Sequence, residues 1–219
     1  MTAPDAAAVS RPTPLRFDAV RACRQLAATD AVLGKLMERV GPYAPHSTAA
    51  PDAFHALLRA IVYQQLSGRA AATIHRRVLQ TLGQGHAPGP AVVAAADEKQ
   101  LRAAGLSANK VAGIQALARA VLDGSVPQEH ELSDIDDAAL IARYTQIRGI
   151  GRWTAEMLLI FHLGRPDVMP CHDLGVRKGY ALSYGLEALP KPKQLERLCA
   201  VWRPYRSVGS WYMWRALEL

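Results

Sequence analysis

The sequence predicts an all-α protein, and three observations carry that prediction. Runs with strict period-two alternation are missing along the 219 residues. Apolar residues instead recur at helical spacing, as in "AFHALLRAIVYQQL", where Phe54, Leu57, Leu58, Ile61 and Val62 form one stripe. Capping residues ahead of these segments and glycines behind them punctuate the chain at ordinary helix lengths.

Residues 17–40 read as two short helices meeting near Thr29-Asp30, with Asp30 capping the second and Gly41-Pro42 stopping it. A loop, "GPYAPHSTAAPD", leads to the amphipathic segment that starts at Asp52. Ser67 is placed to cap "GRAAATIHRRVLQTL", which ends at Gly83. Short helices follow over 91–96 and 98–104, broken by Gly105. Ser107 caps "ANKVAGIQALARAVLDG", stopped at Gly124, and Asp136 opens "DAALIARYTQI". Further helices are expected from 151 to about 163, over 174–184 and 193–202, and from 207 to the C-terminus. More than eight short helices joined by loops of ordinary length are therefore predicted.

A chain of this length holds one large domain or two small lobes. Its opening, "MTAPDAAAVSRPTP", carries Asp5 and no continuous apolar segment, so residues 1–14 are expected as a disordered tail, not a signal peptide. No apolar run approaches the length of a membrane span, which excludes an integral helical membrane protein. Cys23, Cys171 and Cys199 are scattered, with no CxxC pair and no zinc spacing, and suit reduced thiols in a cytoplasmic protein. The formal charge of +7, rich in Arg, favours a polyanionic partner, although basic proteins without one are common.

The stretch "IRGIGRWTAEMLLIFHLGRPDVMPCHDLGV" carries the chemistry. Glycines at 149 and 151 allow a sharp helix-to-helix turn and the close approach of a ligand. Amides at the start of the following helix, with its dipole and the flanking Arg148 and Arg152, suit a phosphate. A plain corner between two helices would place glycines in the same way. For Asp173, an N-cap on the helix that follows is the competing reading, and both roles can hold together.

A hairpin, Gly-Arg-Trp-Thr-Ala, about twenty residues and then Pro-x-x-Asp-Leu resembles the helix-hairpin-helix DNA glycosylase superfamily. Within it, "GIGRWTAEM", "DVMPCHDLGVRKGY" and "WRPYRSVGSWYMW", with "AIVYQQLSGRAAATIHRR" and "GLSANKVAGIQALA", look like the alkylpurine branch, DNA-3-methyladenine glycosylase II. The resemblance covers roughly residues 52–219 and implies the compact form, without an N-terminal β-rich domain. It implies a helical core over 15–219 in two lobes, one about 52–150 including the hairpin, the other 15–50 plus 151–219, with the active site in the cleft between them.

The family's catalytic aspartate falls on Asp173, where a carboxylate would stabilise oxocarbenium character on the deoxyribose and orient the attacking water. In bifunctional relatives the position of Trp153 is a lysine that attacks the sugar. An indole forms no Schiff base, so the resemblance implies a monofunctional enzyme without lyase activity. Trp153, Trp214 and Met157 are the implied base-pocket residues, Met157 standing where relatives can carry an aromatic; core packing is their alternative role. Gln65 is the implied plug for the vacated duplex position, with Leu66 as the alternative wedge. Implied DNA contacts come from Arg148, Gly149, Ile150, Gly151, Arg152 and Thr154. The motif usually has Pro where Arg148 stands. Backbone carbonyls of Thr145, Ile147 and Ile150 are the implied ligands of a structural Na+ or K+. No other cofactor is expected, since the four-cysteine cluster ligands of some relatives are missing.

The expected activity is hydrolysis of the N-glycosidic bond of 3-methyladenine and 7-methylguanine by base flipping, in base excision repair. The expected partner is double-stranded DNA with alkylated bases, met by a monomer at the bacterial nucleoid. A non-catalytic hairpin DNA-binding module and an all-α scaffold with incidental charge are the competing readings.

Overall fold

The computed structural model of the chain describes residues 10–12, 14–48, 50–83 and 86–219. The tail expected over 1–14 thus lies mostly outside the described residues. In chain order the elements are β1 (Ser10–Pro12), α1 (Ala19–Thr29), α2 (Ala31–Val40), β2 (His46–Thr48), α3 (Ala53–Tyr63), α4 (Gly68–Gly83), α5 (Pro90–Ala95), α6 (Glu98–Ala103) and α7 (Ala108–Leu122). They continue with α8 (Asp137–Tyr144), α9 (Arg152–Met157), α10 (Leu174–Ser183), α11 (Pro192–Leu198) and α12 (Arg206–Ala216). The helical prediction holds almost throughout. One addition is a two-stranded pairing of β1 with β2. Each strand has three residues in a proline-flanked stretch, too short to show alternation.

Sequence caps become observed bonds. Asp30 Oδ1 accepts the Val32 and Leu33 amides, Asp52 Oδ1 the His55 amide, Ser107 Oγ the Lys110 amide and Asp136 Oδ1 the Ala139 amide. Three departures follow local geometry. Residues 64–66 form a turn instead of continuing α3, with Gln65 at φ +57°. After α9 the backbone widens into a π-helical turn, Leu158–His162. After α11 it tightens into a 3-10 turn, Cys199–Trp202.

The chain divides into two compact units, one drawn from residues 10–47 and 159–219, the other from 48–158. The division falls at 158/159 and not directly after the hairpin, because α9 packs on α8 and so stays with the hairpin.

In the first unit α10 packs on α12, and α2 and α1 close over them. Leu26, Leu33, Val176, Leu195, Trp202, Val208, Tyr212 and Met213 fill its core. Asp30 knots this core: besides capping α2, its Oδ2 accepts Trp202 Nε1 at 2.9 Å and the Tyr184 hydroxyl. Trp202 and Trp211 are both buried in this unit.

In the second unit α3 lies on α7 and α4, and α5 on α7. The whole predicted stripe of α3 is buried, alongside Val78, Val93, Leu101, Ile114, Leu117 and Leu140. A short 3-10 turn, Glu129–Glu131, was not foreseen; Glu129 Oε2 accepts the first amide of α3, from Ala53, at 2.7 Å.

Candidate active site

In the first unit the loop 164–173 delivers Asp173 to the head of α10, and α12 pins that loop. Arg206 makes a two-pronged ion pair with Asp167, Nε to Oδ1 at 2.7 Å and Nη2 to Oδ2 at 2.9 Å, and Arg203 Nη1 adds a third contact at 2.9 Å. The Val168 amide donates to Ser207 Oγ at 2.9 Å. Asp173 itself is only 7% exposed. Its Oδ1 accepts the Val176 amide at 2.8 Å, so the capping role is real. The same oxygen accepts Trp214 Nε1 at 2.9 Å.

That second bond depends on Gly175. A Cβ there would lie 2.8 Å from Trp214 Cδ1 and 3.0 Å from Asp173 Oδ1. Phe161, from the π-helical turn, meets the indole with ring centroids 5.6 Å apart. Sequence reasoning named Trp214 and Asp173 separately. It missed their bond, and it missed Phe161 and Gly175, because no periodic signal links residues on different helices.

In the second unit the stretch 147–151 makes the expected tight turn. The Ile150 amide closes on the Ile147 carbonyl at 3.0 Å, and Gly149 sits at φ +87°, where a side chain is strained. Gly151 caps α9 with no side-chain bond at its cap, and a Cβ there would meet nothing within 4 Å. Gly149 thus serves the turn, and Gly151 leaves its surface open.

Two of the expected DNA-contact residues are engaged within the protein. Arg152 is exposed, and its Nε bonds Glu156 Oε1 at 2.8 Å, one turn on, where Glu156 is 1% exposed. Thr154 is 4% exposed, so its side chain faces inward and any contact from it must come through backbone. The side chains of Ile147 and Ile150 are buried too, consistent with a role through backbone alone. Arg148 is exposed, with Nη2 on Asn109 Oδ1 at 3.0 Å.

Trp153 and Met157 are half-buried, four residues apart on α9, where such residues share a face. Gln65 and Leu66 are both exposed on the turn after α3. Gln65 is the residue held in the left-handed region, a conformation that a non-glycine residue adopts only where its surroundings hold it. Its neighbour Gln64 turns the other way, and its Nε2 donates to the Gly149 carbonyl at 2.9 Å. Lys110 Nζ donates to the carbonyls of Val62 at 2.7 Å and Gln64 at 2.8 Å, and burial lowers the pKa of that ammonium. Among the described residues no group of three or more His, Cys, Asp or Glu side chains could hold a metal, and no helix is long and apolar enough to cross a membrane.

Residues 58–204, which include the turn at Gln65, the hairpin and Asp173, match the HhH-GPD superfamily base excision DNA repair protein family. The chain belongs to that superfamily. It is 37% identical over 186 residues to DNA-3-methyladenine glycosylase 1 of Schizosaccharomyces pombe, covering 84% of this chain and 82% of that one. It is 31% identical over 205 residues to the alkylbase DNA glycosidase-like protein mag2 of the same organism, covering 92% and 95%. Among solved structures, the S. pombe 3-methyladenine DNA glycosylase in complex with abasic DNA superposes with a TM-score of 0.82 at 35% identity, covering 91% of this chain and 97% of that one. A DNA-3-methyladenine glycosidase from Bacillus halodurans does so at 0.81 and 32%, covering 94% and 91%. The HhH-GPD match ends before Trp214, so the residue that bonds Asp173 lies beyond the matched segment.

Proposed function

We propose that this HhH-GPD protein is a monofunctional DNA glycosylase that binds duplex DNA and hydrolyses the N-glycosidic bond of alkylated purines, 3-methyladenine and 7-methylguanine, in base excision repair. The observation that carries the reading is Asp173, a carboxylate held nearly out of water by two donors on one oxygen. A carboxylate fixed in this way can face the positive charge that develops on deoxyribose as the bond to the base breaks, without reorganising at that moment. It can also orient the attacking water. Alkylated purines leave as neutral bases from a cationic state, so no second acid is needed to protonate them.

Trp153 occupies the position from which a lysine would attack the sugar, and its indole has no amine to do so. Its face, like that of Trp214, offers stacking that favours a cationic base over its uncharged counterpart. Met157 adds an apolar surface beside Trp153. Gln65 fills the space left by the flipped nucleotide, with Leu66 as the adjacent apolar wedge. Backbone at Gly149, Ile150 and Gly151, with Arg148, takes a phosphate. The carbonyls of Thr145, Ile147 and Ile150 are neutral oxygen donors within one turn, a set that suits a hard monovalent cation, and would hold Na+ or K+ there. The protein acts as a monomer at the bacterial nucleoid.

The decisive experiment incubates the protein with methylated duplex DNA and identifies released bases by chromatography. Free 3-methyladenine and 7-methylguanine are expected, with strands intact until heated in alkali and no covalent adduct trapped by borohydride. A borohydride-dependent crosslink would reveal a lyase. DNA binding without base release would make this a binding module in which Asp173 only caps α10.

A further inference from the structure

We propose that the N-terminal half of α7 is a strut that fixes the base-displacing turn at Gln65 relative to the phosphate-binding hairpin, with Lys110 as its positioning residue. The inference rests on the roles proposed above for Gln65 and the hairpin. Three residues of α7 make the connection. Lys110 reaches back 48 and 46 residues to the carbonyls of Val62 and Gln64, at the end of α3. Carbonyls there have no partner within the helix, and a cation is favoured at that end of its dipole. Asn109, one residue earlier, holds Arg148 of the hairpin. Gly113, one turn later, lies against both sides, since a Cβ there would approach the Arg148 carbonyl at 3.3 Å and Ile61 Cγ2 at 3.4 Å.

Gln64 closes the arrangement. Its carbonyl receives Lys110 and its side-chain amide donates to the Gly149 carbonyl, so the residue beside the plug is bonded to strut and hairpin alike. Gln65 follows with its backbone in the left-handed region. A wedge displaces a base only if it cannot recoil from the phosphates the protein grips. Unstacking a paired base costs a few kcal/mol, least for a base that is already mispaired. A loosened strut should therefore show when the lesion must be forced out of the stack, and little when it is already loose.

The test is single-turnover excision of one 7-methylguanine placed opposite cytosine or opposite thymine, by wild type, Lys110→Met, Gln64→Leu and Gln65→Ala. Lys110→Met keeps the apolar stem and removes both bonds, so excision of the paired lesion should fall about tenfold and that of the mispaired lesion by less than about threefold. Gln64→Leu, which severs only the Gly149 link, should show the same asymmetry at smaller size, and carries the test should Lys110→Met not fold. Equal losses on both substrates, or no loss on either, would overturn the strut. Gln65→Ala separates the two levels. If it shows the asymmetry and the strut variants do not, only the strut falls. If Gln65→Ala shows none, the plug assignment is wrong and the strut falls with it.

Discussion

The hairpin and the Asp173 site are built by opposite means. The hairpin is made of backbone: a glycine at positive φ, an amide closing on a carbonyl, and side chains from the turn after α3 and from α7 that bond its Gly149 carbonyl and Arg148 guanidinium from far along the chain. The Asp173 site is made of side chains, with one carboxylate oxygen gripped by a local amide and by an indole from α12. The difference suits the role proposed for each. A phosphate is the same at every nucleotide and is recognised well by amides at fixed positions. A developing cation needs one charge, held rigidly, away from competing water. Substitutions should therefore act on binding at the first and on rate at the second.

The largest effect should come from Asp173→Asn. The amide keeps the shape and can still accept the Val176 amide, but it removes the negative charge. Loss of a comparable preorganised group costs on the order of 10²–10³ in rate. Binding to abasic-site DNA should stay within a few fold. A variant retaining more than about a tenth of wild-type excision would remove Asp173 from the chemistry.

Next is Gly149→Val. The φ of +87° is unfavourable for a β-branched residue, and a Cβ would also lie 3.5 Å from Gly113 Cα. Damaged and undamaged duplex should both bind about tenfold or more weakly, with a salt dependence of about −0.9 per neutralised phosphate flattened in the variant. Gly151→Ala isolates the approach of the ligand, since nothing in the protein obstructs its Cβ. It should leave thermal stability intact and still weaken DNA binding. Loss of lesion discrimination alone, with duplex affinity unchanged, would move the hairpin from phosphate grip to base pocket.

The contrast also separates what could be read in the sequence. Caps at Asp30, Asp52, Ser107 and Asp136 were legible because each acts on amides two or three residues away. The α3 stripe was legible because burial follows helical period. The glycine pair was legible as a turn and Asp173 as a cap, while the catalytic role proposed for Asp173 rests on family resemblance, since its spacing suits a cap equally well. How Arg152 and Thr154 are held was not legible. Arg152 is exposed as its flanking position suggests, but its ion pair with Glu156 one turn away and the inward face that carries Thr154 appear only in the fold. Lys110, Gln64 and Asn109 were illegible as site builders because their partners lie 39 to 85 residues away.

A smaller effect tests the indole. Trp214→Phe keeps an aromatic ring but loses the donor to Asp173. Removing one hydrogen bond to a charged group should lower kcat about tenfold while KM changes little. If stacking were its whole contribution, phenylalanine would preserve most of kcat, and any loss would appear in KM. In the Asp173→Asn background the same change should cost little more, because Trp214 then has no charge left to position.

The smallest expected effect is a pH dependence confined to the hairpin's own unit. His75 of α4 meets Tyr63 at the end of α3, with ring centroids 6.1 Å apart. Burial, then the positive charge of Arg59, then His55 push its pKa down to about 4, from 6.5. His75 is therefore neutral in the folded protein, while an unfolded chain takes up a proton below about 6.5. Stability rises with pH wherever the unfolded state binds more protons, so this contribution is complete above about 6.5 and is lost as pH falls toward 4. Its size is on the order of 2 kcal/mol, spread over that window. Amide protection factors, taken against the intrinsic exchange rate at each pH, should fall in α3 and α4 between pH 6.5 and 4.5 in the wild type and much less in His75→Phe. Exchange in α10 and α12, around Asp173, should not distinguish the two proteins. An equal fall in protection of α3 and α4 in both would show that another group titrates there, and that the backbone-built half of this molecule owes its acid sensitivity to something other than a buried neutral imidazole.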